Sequence, residues 1–236
     1  MGSRRVVVFT GAGVSTESGI PDFRGPQGLW TKVDPNQYTL QRWLADPEHR
    51  KRVFRERMER PQWTGAPNPS HTALVALHEH GRLLRCVTQN IDGLHQAAGL
   101  PDELVLEVHG TAHRVMCLRC DARTGWEGLF ARLRAGEDDP QCEECGGVLK
   151  SATVSFGQNL PPAVLDQAFD DADTCDLMVA AGSTLSVYPA AYVPLRAARR
   201  GVPFVIVNEG DTDADTAADI RLEGKTGTLL PALFEA

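Results

Sequence analysis

Short apolar runs rich in β-branched residues recur along this chain, and they constrain its fold more than any other feature. Each run is bounded by turn residues, which is typical of strands buried on both faces of a sheet. We predict six such strands, at residues 5–10, 83–88, 103–108, 152–156, 177–181 and 204–208. Helical patterns separate several of them, most clearly at residues 70–80, where Ser70 is the predicted N-cap, and at residues 190–200. This alternation predicts an α/β fold whose parallel sheet has helices on both faces.

Two stretches interrupt the alternation and predict a second, smaller module. The doubly wound domain would comprise residues 1–26, 81–112 and 151–236. Residues 27–80 would form a helical insertion and residues 113–150 a cysteine-containing ribbon, and these two pieces would pack together as the small domain. Within the ribbon, the acidic segment at residues 136–140 is expected to be a solvated turn.

Composition and charge exclude several classes of function. Of the 236 residues, 42% are hydrophobic and 23% charged, and no apolar stretch reaches the roughly 20 residues that a membrane span needs. The net charge of -7 repels phosphate backbones at long range. We therefore expect neither a membrane partner nor direct nucleic-acid binding. Because the first predicted strand begins at Arg5, we expect no targeting segment and a cytoplasmic location.

A glycine-containing loop follows the first predicted strand. Gly11 and Gly13 flank Ala12, and a helix starting beyond them would direct its positive end toward a pyrophosphate. The third glycine of the dinucleotide fingerprint is expected at position 16, which is occupied by Thr16. The loop is therefore similar to a Rossmann turn but lacks the full pattern of hydride-transferring enzymes. Taken alone, it is also compatible with a tight turn that binds no ligand.

Two later predicted strands end in polar loops at the same sheet edge. Gly182, Ser183 and Thr184 lie in one loop, and Asn208 and Glu209 lie in the other. Ligands of doubly wound sheets bind beyond the carboxyl ends of the strands. Convergence of these loops with the first glycine loop predicts a nucleotide site.

The acid–base candidates also follow predicted strands. Gln89, Asn90 and Asp92 come after one strand, and His109 comes after the next, directly before Gly110. Histidine is the usual general base near neutral pH, so His109 is the predicted catalytic base. The role of His95 stays open. The other histidines are expected to be ordinary surface or core residues: His49, His71, His78, His80 and His113.

An irregular loop containing Asp22, Phe23 and Arg24 is predicted to lie over the same edge. Phe23 would cover a reactive cofactor ring and exclude water, while Asp22 and Arg24 would pair with each other or bind ligand. A surface loop with one anchoring aromatic ring is the alternative.

Two C-x-x-C pairs give the most specific local signal. The first pair is Cys117 and Cys120, and the second is Cys142 and Cys145. Four thiolates complete a tetrahedron and leave no position for water, which predicts a structural Zn²⁺ rather than a catalytic one. Paired cysteines of this kind favour metal binding in a reducing compartment over a disulfide framework.

Together these motifs resemble the sirtuin family of NAD-dependent protein-lysine deacylases. The matching segments appear in the family's order and span nearly the whole chain: residues 11–15, 19–24, 88–92, 109–110, the four paired cysteines, 154–157, 182–185 and Asn208. The resemblance implies a Rossmann-like doubly wound sheet with a smaller module made of a helical insertion and a four-cysteine zinc ribbon.

The resemblance also implies a reaction that consumes NAD. An acyl-lysine carbonyl oxygen attacks C1′ of the nicotinamide ribose and expels nicotinamide. His109 then activates a ribose hydroxyl as general base, and water completes release of the amine and O-acyl-ADP-ribose. His109 and Asn90 are the residues that the resemblance assigns to catalysis.

Further site residues follow from the same resemblance. The residues implied to bind NAD are Gly11, Ala12, Gly13, Ser15, Asp22, Phe23, Arg24, Trp30, Gln89, Asn90, Ile91, Asp92, Gly182, Ser183, Thr184, Asn208 and Glu209. The acyl-lysine protein or peptide would add as a strand between the domains along Val154, Ser155, Phe156 and Gly157. The enzyme is expected to be a monomer.

The resemblance leaves the acyl preference and the reaction outcome open. Sirtuins that prefer negatively charged acyl groups carry a Tyr-x-x-Arg pair, and the nearest equivalent here makes Phe54 and Arg57 the acyl-specificity candidates. Transfer of ADP-ribose to protein stays possible, because it begins from the same activated ribose. A dehydrogenase is disfavoured by Thr16, and a zinc-ribbon module that binds nucleic acid is disfavoured by the mixed charge of residues 115–149.

Overall fold

A computed structural model describes residues 5–25, 28–59 and 65–235 of the chain. The strands within these residues are β1 (Val6–Thr10), β2 (Leu83–Thr88), β3 (Val105–Glu107), β4 (Gly110–Cys117), β5 (Arg123–Thr124), β6 (Leu149–Thr153), β7 (Leu177–Ala181), β8 (Phe204–Asn208) and β9 (Ile220–Glu223). The α-helices are α1 (Leu40–Ala45), α2 (Pro47–Glu59), α3 (Pro69–Glu79), α4 (Leu94–Ala97), α5 (Trp126–Arg134), α6 (Pro162–Thr174), α7 (Tyr192–Arg199) and α8 (Thr226–Glu235). Within the same described residues, no helix combines the length and hydropathy of a membrane span.

The chain divides into two compact units. Unit 1 comprises Met1–Lys32, Gly65–His109 and Leu160–Ala236, and unit 2 comprises Val33–Thr64 and Gly110–Asn159. These boundaries place residues 110–112 and 151–159 in unit 2, and they differ most from the expected ones at helix α3, which belongs to unit 1 and not to the helical insertion. The physical reason is burial, because Leu74 and Leu77 of α3 lie in one core cluster with Val6 and Val8 of β1.

Unit 1 contains the predicted parallel sheet. The strand order is β3-β2-β1-β7-β8-β9, and every neighbouring pair is parallel. In chain order within the unit this is the 3-2-1-4-5-6 arrangement of doubly wound dinucleotide-binding sheets. Strand β9 is not predicted from the sequence, because Ile220 is half exposed and this edge strand is not a continuous apolar run.

Both faces of this sheet are buried, as the apolar runs predict. Along β1, Val7 and Phe9 point into one core cluster while Val6 and Val8 point into the other, which is the two-residue period of a strand. Helices α6 and α7 contribute to the first cluster, and α3 and α8 contribute to the second. The sheet is therefore fixed in register from both sides, which holds its carboxyl edge in a defined geometry.

Helix α3 begins before its predicted N-cap. The N-cap is Asn68, whose side chain accepts the backbone N–H of Ser70 at 2.8 Å. His71 returns the interaction by accepting the N–H of Asn68, which completes a capping box. Pro69 occupies the first helical turn, where its fixed φ favours the helix. Ser70 instead places its hydroxyl 2.8 Å from that of Thr226.

Unit 2 contains a small antiparallel sheet in the order β5-β4-β6. The predicted strand at residues 152–156 is wrong, because β6 ends at Thr153 and pairs with β4 rather than with the parallel sheet. Aromatic rings fill this unit's core, where Trp43 and Phe54 meet edge to face at 5.4 Å between centroids. Trp43 also donates its indole N–H to the carbonyl oxygen of Leu149 at 3.0 Å.

The acidic segment at residues 136–140 is more than a solvated turn. Asp139 accepts two hydrogen bonds from the buried guanidinium of Arg50, at 3.1 and 2.6 Å. Its neighbour Asp138 pairs with Arg55 at 2.5 Å. Both arginines lie on α2, so this acidic segment attaches α2 to the rest of unit 2. The correction follows from Arg50, which is buried and therefore needs a charged partner.

Candidate active site and zinc centre

The central strands of unit 1 define where a ligand can bind. The chain winds outward in one direction from β1 and in the other direction from β7, so the switch point of the sheet lies between these two strands. The loop beginning at Gly11 follows β1, and the loop beginning at Gly182 follows β7. Crevices of this kind bind the pyrophosphate of dinucleotides, and the described loops fit that class of ligand.

The two glycine loops approach each other too closely for side chains. Gly13 donates its N–H to the carbonyl oxygen of Gly182 at 2.8 Å. A Cβ on Gly13 would lie 2.7 Å from Cα of Gly182, and a Cβ on Gly182 would collide with the backbone nitrogen of Val14. Gly182 also has a φ of 61°, in the left-handed region that glycine adopts most easily. The close contact between the two loops therefore explains why both positions are occupied by glycine.

The backbone after β1 differs from the expected helix start. Two 3₁₀ turns, Ala12–Val14 and Thr16–Ser18, take the place of an α-helix. Turns this short supply little of the dipole that was expected to face a pyrophosphate. The N–H groups of Gly11, Gly13 and Val14 also donate within the protein, to Ala181, Gly182 and Gly11. Their hydrogen bonds fix the loop instead of offering a row of free donors.

Ser15, Asn90 and Asp92 form a buried polar cluster beside this loop. Oγ of Ser15 donates to Oδ2 of Asp92 at 2.8 Å and accepts from Nδ2 of Asn90 at 3.1 Å. Asn90 also donates to the carbonyl oxygen of Gly11 at 3.1 Å. Ile91 is half buried between the two polar residues. The structure thus brings together residues that the sequence separates by more than seventy positions.

Two histidines extend this cluster into the core. The ring centroids of His71 and His95 are 4.9 Å apart, and Nε2 of His95 lies 2.9 Å from Oγ1 of Thr10. Burial lowers the pKa of His95 to about 3 and also lowers the pKa of His71. Since the backbone N–H of Asn68 donates to Nδ1 of the neutral His71, the ring proton lies on Nε2, 3.5 Å from Oγ of Ser15.

His109 is held as a neutral base at the carboxyl end of β3. Its Nδ1 lies 3.0 Å from the carbonyl oxygen of Gln89. A carbonyl oxygen can only accept, so Nδ1 carries the proton and Nε2 is the basic nitrogen. Burial lowers the pKa of His109; the bond to Gln89 opposes this shift, and the charge of Arg24 adds to it. The ring is therefore neutral near pH 7 and can accept a proton.

The loop that follows the 3₁₀ turns carries four of the expected cofactor contacts. Oδ1 of Asp22 accepts the backbone N–H of Gly25 at 2.8 Å and so shapes its own loop. Phe23 is half buried, and Arg24 is exposed. Trp30 lies in the short turn Leu29–Thr31, and its side chain falls outside the described part of the chain.

The remaining expected NAD contacts lie after neighbouring strands. Nε2 of Gln89 donates to Oγ of Ser183 at 2.8 Å, which joins the loops after β2 and β7. Thr184 is half buried in the same loop. Asn208 is buried at the end of β8 and donates to the carbonyl oxygen of the exposed Glu209 at 3.3 Å. The Asn208 amide thus shapes the turn after β8.

The expected substrate segment follows β6 and consists of Val154, Ser155, Phe156 and Gly157. The backbone of Phe156 bridges to Thr39, with bonds of 3.0 and 2.9 Å to the residues on either side of it. The N–H of Ser155 donates to Oε1 of Gln158 at 3.2 Å. Half of this segment is therefore already paired within unit 2.

The two acyl-specificity candidates, Phe54 and Arg57, both pack against Trp126 in unit 2. Phe54 is 1% exposed and packs edge to face against Trp126, with centroids 6.4 Å apart. Its burial corrects the expectation that this ring contacts an acyl group. The Arg57 guanidinium lies 4.1 Å from the Trp126 ring centroid and donates to the carbonyl oxygen of Ala112. Burial lowers the pKa of Arg57 to about 10.

The paired cysteines converge as predicted. The sulfur atoms of Cys117, Cys120, Cys142 and Cys145 all lie within 4.8 Å of one another. The distance from Cys117 to Cys145 is 3.5 Å, and that from Cys120 to Cys142 is 3.7 Å. Four sulfurs placed about 2.3 Å from a tetrahedral ion would be separated by about 3.8 Å. Donor type, number and spacing therefore fit a structural Zn²⁺.

Backbone groups around the sulfurs support this assignment. Burial opposes ionisation of Cys117, but N–H groups of Arg119 and Cys120 direct hydrogen bonds at its sulfur and lower its pKa to about 6. The N–H of Ala122 favours ionisation of Cys120, but the neighbouring cysteines outweigh it and raise the pKa of Cys120 to about 12, so Cys117 is the first of the two to ionise. A Cβ on Gly147 would lie 2.7 Å from the Cys117 sulfur, so the chain passes too close for a side chain. A thiolate is the form that binds metal.

Comparison with sequence families and with known proteins gives one consistent result. The sequence profile described as the Sir2 family matches residues 11–189, which include the glycine loop, His109 and the four cysteines. The chain belongs to the Sir2 family. The NAD-dependent protein deacetylase 2 of Streptomyces coelicolor is 44% identical to this Sir2 protein, over 99% of the chain and 98% of the relative. The NAD-dependent protein deacylase 2 of Archaeoglobus fulgidus is 40% identical, over 99% of the chain and 91% of the relative.

A solved structure gives the same result for the fold. A Sir2 enzyme in complex with a p53 peptide and NAD⁺ is 36% identical to this Sir2 protein, with a TM-score of 0.84. The likeness covers 99% of this chain and 93% of the solved one. The Rossmann-like fold with its smaller cysteine-bearing module is thereby confirmed.

Sequence reasoning missed several polar residues of this Sir2 protein. Thr10 and Thr88 share a hydrogen bond of 2.8 Å, and Thr10 supports His95. His71 was expected to be an ordinary surface or core residue, yet it contacts Ser15. The available signal was Asn68 followed three residues later by a hydrogen-bonding side chain, which is the spacing of a capping box.

Proposed function

We propose that this chain is an NAD-dependent protein-lysine deacylase, with acetyl-lysine as its representative substrate. Full-length relatives with this activity in their names support the proposal. So does a neutral histidine at the carboxyl edge of a doubly wound sheet, close in the fold to loops of the dinucleotide-binding class. NAD, when bound, supplies a ribose whose bond to nicotinamide can be broken.

The NAD contacts are proposed on their positions at this edge. The loops of Gly11, Ala12, Gly13 and Ser15 and of Gly182, Ser183 and Thr184 would face the phosphates, with Asn208 and Glu209 toward the adenosine end. The nicotinamide side would contact Gln89, Asn90, Ile91 and Asp92, with Asp22, Phe23, Arg24 and Trp30 in the covering loop. The buried hydrogen bonds of Asn90 and Asp92 support this assignment, because they hold both side chains in fixed orientations.

The geometry of His109 is the single observation that carries the proposed chemistry. Its Nδ1–H is committed to the carbonyl oxygen of Gln89, so Nε2 is directed to accept a proton. A neutral ring near pH 7 is what a general base requires. We assign His109 the removal of a proton from a ribose hydroxyl, and we assign Asn90 a role in orienting the ribose.

Acyl-lysine proteins or peptides are the proposed partners. Because Phe156 and Ser155 already use backbone groups within unit 2, a peptide strand would pair through Val154 and Gly157. Neutral acyl groups are proposed over acidic ones, because the guanidinium of Arg57 is engaged by Trp126 and Ala112. We keep the proposals of a monomeric enzyme and of a cytoplasmic location, the latter supported by the six cysteines, none of which forms a disulfide.

The test is a panel of acetyl-, propionyl-, succinyl- and myristoyl-lysine peptides incubated with NAD. Mass spectrometry would follow nicotinamide and deacylated peptide. We expect acyl-dependent nicotinamide release matched by deacylated peptide. His109→Ala should lower kcat/KM by about 10²- to 10⁴-fold, the usual contribution of a general base. Nicotinamide release with ADP-ribose on protein, and no change in the peptide, would instead support ADP-ribosyl transfer.

Two controls sharpen this test. The exposed His113 provides a matched replacement, and His113→Ala should retain activity while both variants retain zinc. Because the pKa of His109 is lowered, the loss of kcat/KM in acid should occur at a lower pH than the value of about 6.5 at which an exposed histidine titrates. Equal activity of His109→Ala and the wild type would contradict the assignment of the base.

A further inference from the structure

Asn68 contacts two different elements of unit 1 with the two ends of its side chain. Its Oδ1 accepts the N–H of Ser70 at 2.8 Å and caps helix α3. Its Nδ2 donates to the carbonyl oxygen of Val14 and to Oγ of Ser18, both at 2.8 Å. The orientation of the amide is fixed by chemistry, since an N–H needs an acceptor and a carbonyl oxygen needs a donor.

The second pair of bonds holds the loop that follows β1. Val14 and Ser18 lie on either side of Ser15, so one amide group spans the segment that contains this buried hydroxyl. Val14 is itself fully buried, and its carbonyl oxygen would lose a hydrogen bond without the Asn68 amide. A shift of this segment would move Ser15 away from Asp92 and Asn90, with which it forms the buried cluster.

Asn68 also fixes a histidine beside the same cluster. Its backbone N–H donates to Nδ1 of His71 at 3.2 Å, which leaves the Nε2 proton on the side of Ser15. The turn at Asn68 therefore sets the glycine loop, the start of α3 and the His71 tautomer together. Asn68 is 8% exposed, so its bonds are protected from exchange with solvent.

We propose that Asn68 is a positioning residue for NAD, acting through the backbone of residues 14–18. The inference rests on the proposed function and adds a determinant of NAD affinity that lies outside the cofactor loops. Its donor end keeps Ser15, which lies in the loop proposed to face the phosphates, bonded to Asn90 and Asp92, which are proposed to contact the nicotinamide side. Its acceptor end serves helix α3.

Asn68→Asp separates these two functions. The carboxylate keeps an oxygen that caps Ser70, but it loses the donor and places negative charge beside the carbonyl oxygen of Val14. We expect KM for NAD to rise about tenfold, while KM for an acetyl-lysine peptide and kcat at saturating NAD stay within about twofold. Calorimetric titration with ADP-ribose, which needs no turnover, should show a similar loss of affinity.

Asn68→Ser provides a second variant without added charge. Its short hydroxyl can still cap α3 but cannot reach Val14, so the same selective rise in KM for NAD is expected. Glu17→Gln is the matched control in the same loop. Glu17 is exposed and accepts the N–H of Gly227 at 2.9 Å, a bond that the glutamine oxygen can replace. KM for NAD should stay within about twofold of the wild type in this variant.

The outcomes distinguish this inference from the proposed function. An inactive wild-type protein that binds neither NAD nor ADP-ribose would contradict the proposed function itself. An active wild type, with both Asn68 variants unchanged in KM for NAD, would overturn the role of Asn68 alone. Equal rises in KM for NAD and for peptide, accompanied by a lower melting temperature, would assign Asn68 to general stability and would likewise overturn it.

Discussion

The candidate catalytic cluster of unit 1 and the cysteine cluster of unit 2 are organised by different physical means. The first consists of buried, neutral or hydrogen-bonded side chains contributed by segments far apart in sequence, including Ser15, His71 and Asp92. The second consists of four thiols from two short turns. Packing of a doubly wound sheet fixes the first cluster. An ion must fix the second, because unscreened thiolates repel each other.

The difference shows in the local backbone as well. Both cysteine turns use the same conformation, with a left-handed residue directly after the second cysteine of each pair: Asp121 with φ 58° and Gly146 with φ 68°. The described loops at the edge of the parallel sheet also contain left-handed glycines, but at different distances from their strands: Gly182 directly follows β7, whereas Gly210 lies two residues beyond β8. Local geometry thus explains the cysteine cluster, and long-range contacts explain the catalytic cluster.

Removal of zinc should have the largest effect on stability, and it should affect unit 2 far more than unit 1. A structural zinc site contributes about 10 kcal/mol or more of binding free energy, which is comparable to the stability of a whole domain. We expect chelation, or Cys142→Ser, to unfold unit 2. Fluorescence of Trp43 and Trp126 would report this loss, because both rings lie in the core cluster that contains Cys117 and Cys142.

Cys175→Ala is the matched control for the zinc experiment. Cys175 is buried in unit 1, away from the cysteine cluster, so this variant should retain one zinc per chain and the wild-type fluorescence. An unchanged melting curve after complete loss of metal would show that packing alone maintains unit 2. The proposed contrast between the two clusters would then be wrong.

A fall in pH should destabilise unit 1 because the His95 ring is protonated more easily in the unfolded chain. The size of this effect should lie between those of the other two changes. The folded ring stays neutral down to a pKa of about 3, whereas the unfolded ring takes up a proton below about 6.5. Protonation between these values favours the unfolded chain, so stability falls as the pH drops. At about pH 5 the contribution lost is about 2 kcal/mol. Urea denaturation near pH 7 and pH 5 would measure it.

His95→Gln should reduce that pH dependence, whatever its effect near neutral pH. Replacement of the exposed His80, in His80→Gln, should leave the difference between the two pH values as in the wild type. If His95→Gln retained the full acid sensitivity, the neutral state of the buried ring would not be its source.

Asp121→Gly should have the smallest effect and would test the likeness of the two cysteine turns. A left-handed conformation costs a non-glycine residue about 1 kcal/mol, part of which is offset by the extra freedom of glycine in the unfolded chain. We expect a gain of about 0.5 kcal/mol, or roughly 1–2 °C in Tm by calorimetry. Gly146→Ala should lower Tm by a similar amount. A large loss in Asp121→Gly would indicate that the aspartate side chain is needed.

Much of the fold follows from local sequence pattern. Strands β1, β2, β7 and β8 are correct or nearly so, because a continuous apolar run buried on both faces has few alternatives. The strand predicted at residues 152–156 is wrong because its apolar residues suit a short antiparallel sheet equally well. Helix α3 was expected in the smaller module, since periodicity shows that a helix has an apolar face but not which core receives it.

Residue spacing and position at strand ends were enough to predict the doubly wound class, the four candidate metal ligands and the candidate base. Only the folded chain shows that Asn68 spans the loop after β1, that His71 and His95 lie together, and that Phe54 is buried in the core of unit 2 with Arg57 stacked on Trp126. These facts depend on which side chains meet across tens of residues. Burial then sets their protonation and hydrogen bonding, which no local pattern specifies.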